Sequence, residues 1–192
     1  MSRPALIRTV VLSILAAFAG CAKEVPPPPP QAAYVPPPLP DPPVAPWCAR
    51  PAEVSAFSVA ALKSNLMVAG LSCDKEDRYN DFVTRYRQSL VALEKVRDEY
   101  FSRNDKRHWQ QERDDYITQL ANAQSQRAMV LGSQFCQRTV GEFDEVMALA
   151  GPEQLPGYAE NKTQSIPQTM KFSECPPPPP VAQKPARSTK KS

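Results

Sequence analysis

Five cysteines are the residues of this chain best suited to chemistry: Cys21, Cys48, Cys73, Cys136 and Cys175. No two of them form a C-x-x-C pair, and the chain has one histidine. This spacing does not favour a zinc site, which needs four converging Cys or His ligands. Cysteines spread in this way are typical of the disulfide frameworks of exported proteins, and an odd count leaves one cysteine for another role. We therefore expect disulfides and no metal.

The other reactive side chains do not form a recognisable catalytic set. His108 stands beside Trp109 near a predicted helix start, which is a common setting for a surface histidine. Acidic pairs such as Asp114-Asp115 are adjacent, so on a helix their carboxylates point about 100° apart. A glycoside hydrolase needs two carboxyl groups that flank one sugar. The sequence also lacks the short motifs of hydrolases, metalloproteases and nucleotide-binding proteins. We expect a protein that is not an enzyme and uses no cofactor.

The N-terminus has the pattern of an export signal. Arg3 and Arg8 form a basic start, and the uncharged stretch 9–22 that follows is mostly apolar and ends in small residues. This stretch is shorter than the ~20 apolar residues that span a bilayer. Residues 1–20 are therefore predicted to be a cleaved signal peptide.

Residues 18–21, Phe-Ala-Gly-Cys, resemble the lipobox of bacterial lipoproteins, although Phe18 stands where the commonest pattern has leucine. The resemblance implies that Cys21 receives lipid and becomes the mature N-terminus. Ala22 follows it, and a residue other than aspartate at that position implies sorting to the periplasmic face of the outer membrane. Lipidation of Cys21 leaves four cysteines, enough for two disulfides. Cleavage after Ala19 is the alternative, and it would give a soluble periplasmic protein.

Proline and charge divide the mature chain into three parts. Twelve of the 23 prolines lie in 26–46 and six more in 176–185, whereas 52–151 has none. We predict an anchor and proline-rich linker over 21–46, a domain over 47–175, and a disordered basic tail over 176–192. Because two arginines lie in 1–20 and four basic residues in the tail, 21–175 hold 17 basic and 20 acidic residues. This net charge of −3 argues against nucleic acid as a partner.

Helical periodicity predicts an all-α domain, a small up-down bundle of three or four helices. We expect helices over 51–71, 75–103, 106–131 and 137–150, followed by an irregular strap over 152–175. The first helix is apolar around most of its circumference, so it should lie in the middle of the bundle. Proline-rich arms flank this domain on both sides.

The predicted helices restrict how the four remaining cysteines pair. Cys48 and Cys73 lie at opposite ends of the first helix, ~30 Å apart at 1.5 Å per residue. A disulfide needs Cα atoms within ~7 Å, so these two cannot pair. In an up-down-up bundle, Cys136 returns to the end where Cys73 lies. We therefore predict Cys73–Cys136 and, by elimination, Cys48–Cys175.

The turn between the second and third predicted helices is our candidate partner-binding surface. It combines charged and aromatic side chains, and Phe101 lies off the apolar stripe. The candidate residues are Arg97, Phe101, Arg103 and Trp109. We expect a tethered module that binds a periplasmic protein or glycan. The alternatives are a structural tether that holds an anionic envelope polymer through its basic tail, and a cell-wall-modifying enzyme.

Overall fold

The computed structural model describes residues 35–176, which fold into six α-helices without a β-strand in that range. The predicted all-α class is therefore confirmed. The helices are α1 (Pro51–Ser72), α2 (Glu76–Arg85), α3 (Arg87–Asn104), α4 (Trp109–Leu131), α5 (Ser133–Met147) and α6 (Leu155–Asn161). The predicted signal peptide, Cys21, the first part of the predicted linker and the predicted tail from residue 177 lie outside the described residues.

Helix α1 forms the centre of the domain and contacts each of the other five helices. Phe57, Leu62 and Leu66 are almost fully buried, and the charged residues of α1 are Glu53 and Lys63. Its length and composition would also suit a membrane span, but 72% of its apolar window is buried inside the protein. We therefore describe α1 as the core helix of the domain.

The predicted second helix is divided at Tyr86 into α2 and α3. Tyr86 has φ −101° and ψ 12°, which interrupts regular helix geometry for one residue. Its side chain is buried, and its hydroxyl donates a hydrogen bond of 2.6 Å to the Val146 carbonyl oxygen in α5. Arg85 donates to the Leu149 carbonyl oxygen at 2.7 Å. The interruption is thus fixed by contacts with a distant part of the chain.

Helix α4 begins after the break that we predicted at Asn104-Asp105. The Asp105 carboxylate accepts hydrogen bonds from the backbone N–H groups of Arg107 and His108 at 2.8 and 3.0 Å. These bonds lower the pKa of Asp105 below its usual value. The helix ends at Gly132, whose φ of +52° lies in the left-handed region that favours glycine.

The strap after α5 is more regular than predicted. It contains a short 3₁₀ turn, Pro152–Gln154, and the seven-residue helix α6. We predicted an irregular strap, but Pro156 lies in the first turn of α6, where proline has no hydrogen bond to lose. Leu155 and Ala159 of this helix are buried.

Both predicted disulfides are present. Cys48 pairs with Cys175 and Cys73 pairs with Cys136, with Cα–Cα distances of 4.8 and 5.6 Å. Cys48 precedes α1 and Cys73 follows it, so the two bonds fasten opposite ends of the core helix. Two disulfides are typical of proteins that fold in oxidising compartments outside the cytoplasm.

Part of the predicted linker packs against the helical domain. Of the described residues, 36–176 form one compact unit. Ala45 donates its N–H to the Lys171 carbonyl oxygen at 2.8 Å, and Lys171 donates to Pro43 at 2.9 Å. Arg127 of α4 donates to the Pro37 carbonyl oxygen at 2.8 Å. The end of the predicted linker is therefore a paired, extended segment of the fold.

Candidate functional site

Phe101, which we predicted as an exposed contact residue, lies in the core and is only 2% exposed. Its ring packs edge-on against Phe57 and Tyr100, with centroids 5.8 and 5.3 Å apart, and also contacts Tyr116. The prediction of exposure is wrong because α1 and α4 cover this end of α3 from two sides. The sequence shows one apolar stripe on α3, but it does not show that a second face of this helix, which carries Phe101, is also covered.

Arg103 serves mainly to neutralise a buried carboxylate. Its Nη2 donates to both carboxylate oxygens of Glu53, at 2.9 and 2.8 Å, and Glu53 is 4% exposed. Glu53 in turn accepts the Arg50 backbone N–H at 2.7 Å, which caps the first turn of α1. Arg103 therefore joins the C-terminal end of α3 to the N-terminal end of α1.

Trp109 is half-buried at the start of α4, and the guanidinium of Arg113 lies 5.3 Å from its ring. The four predicted residues therefore do not form one exposed surface. One is in the core, one holds a helix cap, and one packs beneath an arginine of its own helix. The fourth, Arg97, lies in a different environment.

Arg97 lines a cavity of about 210 Å³ between α1, α3 and α4, with Tyr79 contributed by α2. We call this the Arg97 cavity. Its lining residues are Ala60, Lys63, Ser64, Met67, Tyr79, Glu94, Arg97, Ile117, Leu120 and Ala121. Most of these are apolar, and the charged groups belong to three residues only. A mainly apolar hollow with a few polar groups is the usual form of a binding site.

The charged groups of the cavity are unequally paired. Lys63 and Glu94 form a half-exposed ion pair of 2.6 Å. The Arg97 side chain is 9% exposed, and its nearest carboxylate oxygen, on Asp98, is 3.7 Å from Nη2. Among residues 35–176, neither the Arg97 Nε nor the Ser64 hydroxyl, both buried, has a hydrogen-bond partner. The Asp98 Oδ1 that lies 3.7 Å from Arg97 is also buried without a hydrogen-bond partner in the described part of the chain, so Arg97 and Asp98 form a loose ion pair at the edge of the cavity.

A second hollow of about 430 Å³ adjoins the first and shares Glu94, Arg97 and Ile117 with it. The side chains that extend it are mainly polar. Arg113 lies 2.9 Å from Asp114 and 3.6 Å from Asp98. Arg97 therefore lines both a mainly apolar cavity and a mainly polar one.

Two features of Arg97 could have indicated this site. Arg97 follows Leu90 by seven residues and Leu93 by four, so it occupies a position of the apolar stripe of α3. A charged residue at a core-facing position is unusual and needs a partner. Lys63 and Ser64 could not be assigned to the same site, because only the tertiary fold brings α1 against this part of α3.

A separate cluster of titratable groups joins α1, α5 and α6. Burial raises the pKa of Glu142 to about 7, although its carboxylate accepts a hydrogen bond of 2.7 Å from Asn65. Nearby, Lys162 and the Tyr158 hydroxyl contact the Glu145 carboxylate at 2.5 and 3.0 Å and lower its pKa. These side chains contact one another across neighbouring helices, so the cluster links α1, α5 and α6.

Among residues 35–176, no three His, Cys, Asp or Glu side chains converge as they would around a metal ion. No protein-family model, curated protein or solved structure matches the chain. What the molecule does must therefore be inferred from its own residues.

Proposed function

We propose that this chain is a non-enzymatic lipoprotein of the bacterial cell envelope that binds a periplasmic partner through the Arg97 cavity. The observation that carries the proposal is the buried guanidinium of Arg97, which lines a mainly apolar surface cavity and is only loosely paired with Asp98, at 3.7 Å. A ligand that accepts hydrogen bonds from the Arg97 guanidinium would improve the pairing of this buried charge.

The proposed location follows from the cysteines. Cys48, Cys73, Cys136 and Cys175 are used in disulfides, which leaves Cys21 for lipid. Lipid on Cys21 would hold the protein at the periplasmic face of the outer membrane. The proline-rich residues between Cys21 and Pro36 are then the proposed spacer, on composition alone.

We also propose that α1, α3 and α4 form an up-down-up core, with the shorter helices packed around it. Each of these three helices contacts the other two. This arrangement would place the Arg97 cavity on the side of the core where all three helices meet.

Site-directed photocrosslinking tests the proposal. Ile117 is 41% exposed and lines the cavity, whereas Met129 on the same helix is 75% exposed and lies outside it. With benzoylphenylalanine at position 117, we expect one defined adduct in bacterial envelopes, and we expect Arg97→Met to abolish it. The same group at position 129 should not give that adduct. If position 117 gives no adduct, or one that Arg97→Met leaves unchanged, the cavity is not the binding site.

A further inference from the structure

Three large apolar side chains are exposed at one end of the domain. Leu71 lies in the last turn of α1, and Met129 and Val130 lie in the last turn of α4. Their exposed fractions are 66%, 75% and 60%. Cys73 follows α1, and its disulfide partner Cys136 lies in the first turn of α5, just after α4. We call residues 71–77 and 127–138 the Cys73 end of the domain.

The Cys73 end offers apolar surface without a net charge. An open hollow of about 450 Å³ lies between its turns, and its lining, which includes Ala128, Met129 and Phe135, contains no charged residue. The charged residues of this end are three acidic and three basic ones: Asp74, Glu76, Asp77, Lys75, Arg127 and Arg138. Because these formal charges cancel, the exposed apolar side chains are what distinguishes this end. Exposed apolar surface of this kind marks sites that contact proteins or membranes.

The chain enters the folded domain at this same end. Arg127 donates a hydrogen bond of 2.8 Å to the Pro37 carbonyl oxygen, and Pro37 and Val130 line one cavity. From there the chain runs to Cys48, which bonds to Cys175 beside the start of α1, at the opposite end of the core helix. The chain before residue 36 therefore joins the domain at the Cys73 end, and the described chain leaves it at the other end.

The proposed anchor brings a bilayer within reach of this end. Fourteen residues, 22–35, separate Cys21 from Pro36. As an extended polyproline helix they would reach ~45 Å. The two ends of α1, a helix of 22 residues, are ~33 Å apart. Of these two ends, the Cys73 end is therefore the one that lipid on Cys21 would hold closer to the membrane.

We infer that the Cys73 end docks on the lipid bilayer, with Leu71, Met129 and Val130 inserted at the boundary between headgroups and acyl chains. This inference rests on the proposed lipid anchor and adds a second contact between the protein and the membrane. Apolar side chains favour this depth because insertion removes their surface from water. Their affinity for lipid can be low, because a tether gives the docking surface a high effective concentration at the membrane.

Photocrosslinking on vesicles tests the inference without requiring lipid on Cys21. The oxidised chain 21–192, with a hexahistidine tag in place of Cys21, is bound to phosphatidylcholine vesicles that contain a nickel-chelating lipid. With benzoylphenylalanine at position 129, we expect an adduct heavier than the protein by one phospholipid. The same group at position 107, which is exposed in the turn before α4 at the opposite end, should give no such adduct. Because the charges of the Cys73 end cancel, high salt should not reduce the yield at position 129.

Leu71→Gln separates docking from folding, because it replaces an exposed apolar side chain by a polar one and should change Tm little. Loss of the leucine contact should weaken docking about tenfold, which lowers the yield of the lipid adduct at position 129 by about twofold to tenfold. Val91→Gln makes the same kind of change at an exposed position of α3, outside the Cys73 end, and should leave the yield unchanged.

Three results would overturn the inference: no lipid adduct at position 129, an equal yield at position 107, or an adduct at position 129 with a second copy of the chain instead of lipid. The intact mass of the native protein tests the anchor separately. If the native chain carries lipid on Cys21 and the vesicle test fails, the proposed function stands and only the docking inference fails. If the native chain carries no lipid, the anchor and the docking inference fail together.

Discussion

The ion pair between Glu53 and Arg103 connects two helix ends through a carboxylate that is nearly inaccessible to water. Arg103→Met should leave this carboxylate buried without its cation and reduce the free energy of unfolding by about 3 kcal/mol. Chemical denaturation of the oxidised protein measures the change. Arg107→Met is the matched control, because Arg107 is exposed next to the same turn and should have little effect. Equal stability of the two variants would show that the Glu53 carboxylate does not depend on Arg103.

Glu142 makes the stability of the domain depend on pH. Burial raises its folded-state pKa from 4.5 to about 7. Between these values the folded protein holds a proton that the unfolded chain has already released, so stability should fall as pH rises through this window. The upper limit of the effect is about 3 kcal/mol, from ~1.4 kcal/mol for each pKa unit.

Glu142→Gln tests this dependence by removing the titrating group. Urea unfolding at pH 5 and pH 8 should show a smaller loss of stability in this variant than in the original protein. Glu99→Gln changes an exposed carboxylate and should preserve the original dependence. An unchanged pH profile for Glu142→Gln would mean that this carboxylate ionises normally in the folded protein.

Alanine substitutions at two glycines of the helices should change the stability of the protein in opposite directions. Gly132 ends α4 with φ +52°, whereas Gly141 lies within α5, and a Cβ at either position would meet no atom within 4 Å. Gly132→Ala should therefore destabilise the fold by about 1 kcal/mol through backbone strain alone. Gly141→Ala should stabilise it by up to about 1 kcal/mol, because alanine favours helix. Thermal unfolding of both variants measures the signs, and a shift in the same direction for both would contradict this account.

The long helices were predictable because α1 is apolar around most of its circumference and the others carry apolar residues at helical spacing. The start of α1 at Pro51 and the break before α4 follow from local residue types alone. The interruption at Tyr86 was not predictable, because Tyr86 continues the stripe and its conformation is fixed by the distant Val146 carbonyl. Helix α6 was missed because residues 152–175 contain three prolines and show no clear helical period. The site was predictable only as far as Arg97, since apart from Glu94 the rest of the cavity lining comes from other helices.

At the scale of the whole molecule, the Cys48–Cys175 disulfide holds together two extended segments. Ala45 and Ala49 donate backbone hydrogen bonds to residues 171 and 173, and Val44 and Lys171 form a parallel bridge. The chain therefore enters and leaves the domain in the same direction. The disulfide and these backbone hydrogen bonds together join the two segments.

Replacing Cys48 and Cys175 by serine should destabilise the protein by up to about 5 kcal/mol, because the bond closes a very long loop. Amide hydrogen exchange should accelerate most at Ala45 and Ala49. Replacing Cys73 and Cys136 is the matched control: it removes the other disulfide but should leave exchange at those two amides nearly unchanged. Similar acceleration in both variants would mean that the Cys48–Cys175 disulfide does not specifically protect these two amides from exchange.

We propose that the protein is exported, anchored by lipid and cross-linked by two disulfides. The most direct test is its intact mass after purification from bacterial membranes, before and after reduction. We predict a chain that begins at Cys21, carries the mass of a diacylglycerol group and acyl chains, and gains four hydrogens on reduction of its two disulfides. An unlipidated chain that begins at Gly20 or Lys23 would contradict the lipid anchor. In a chain that begins at Gly20, Cys21 would then be a free thiol or part of a disulfide with another protein.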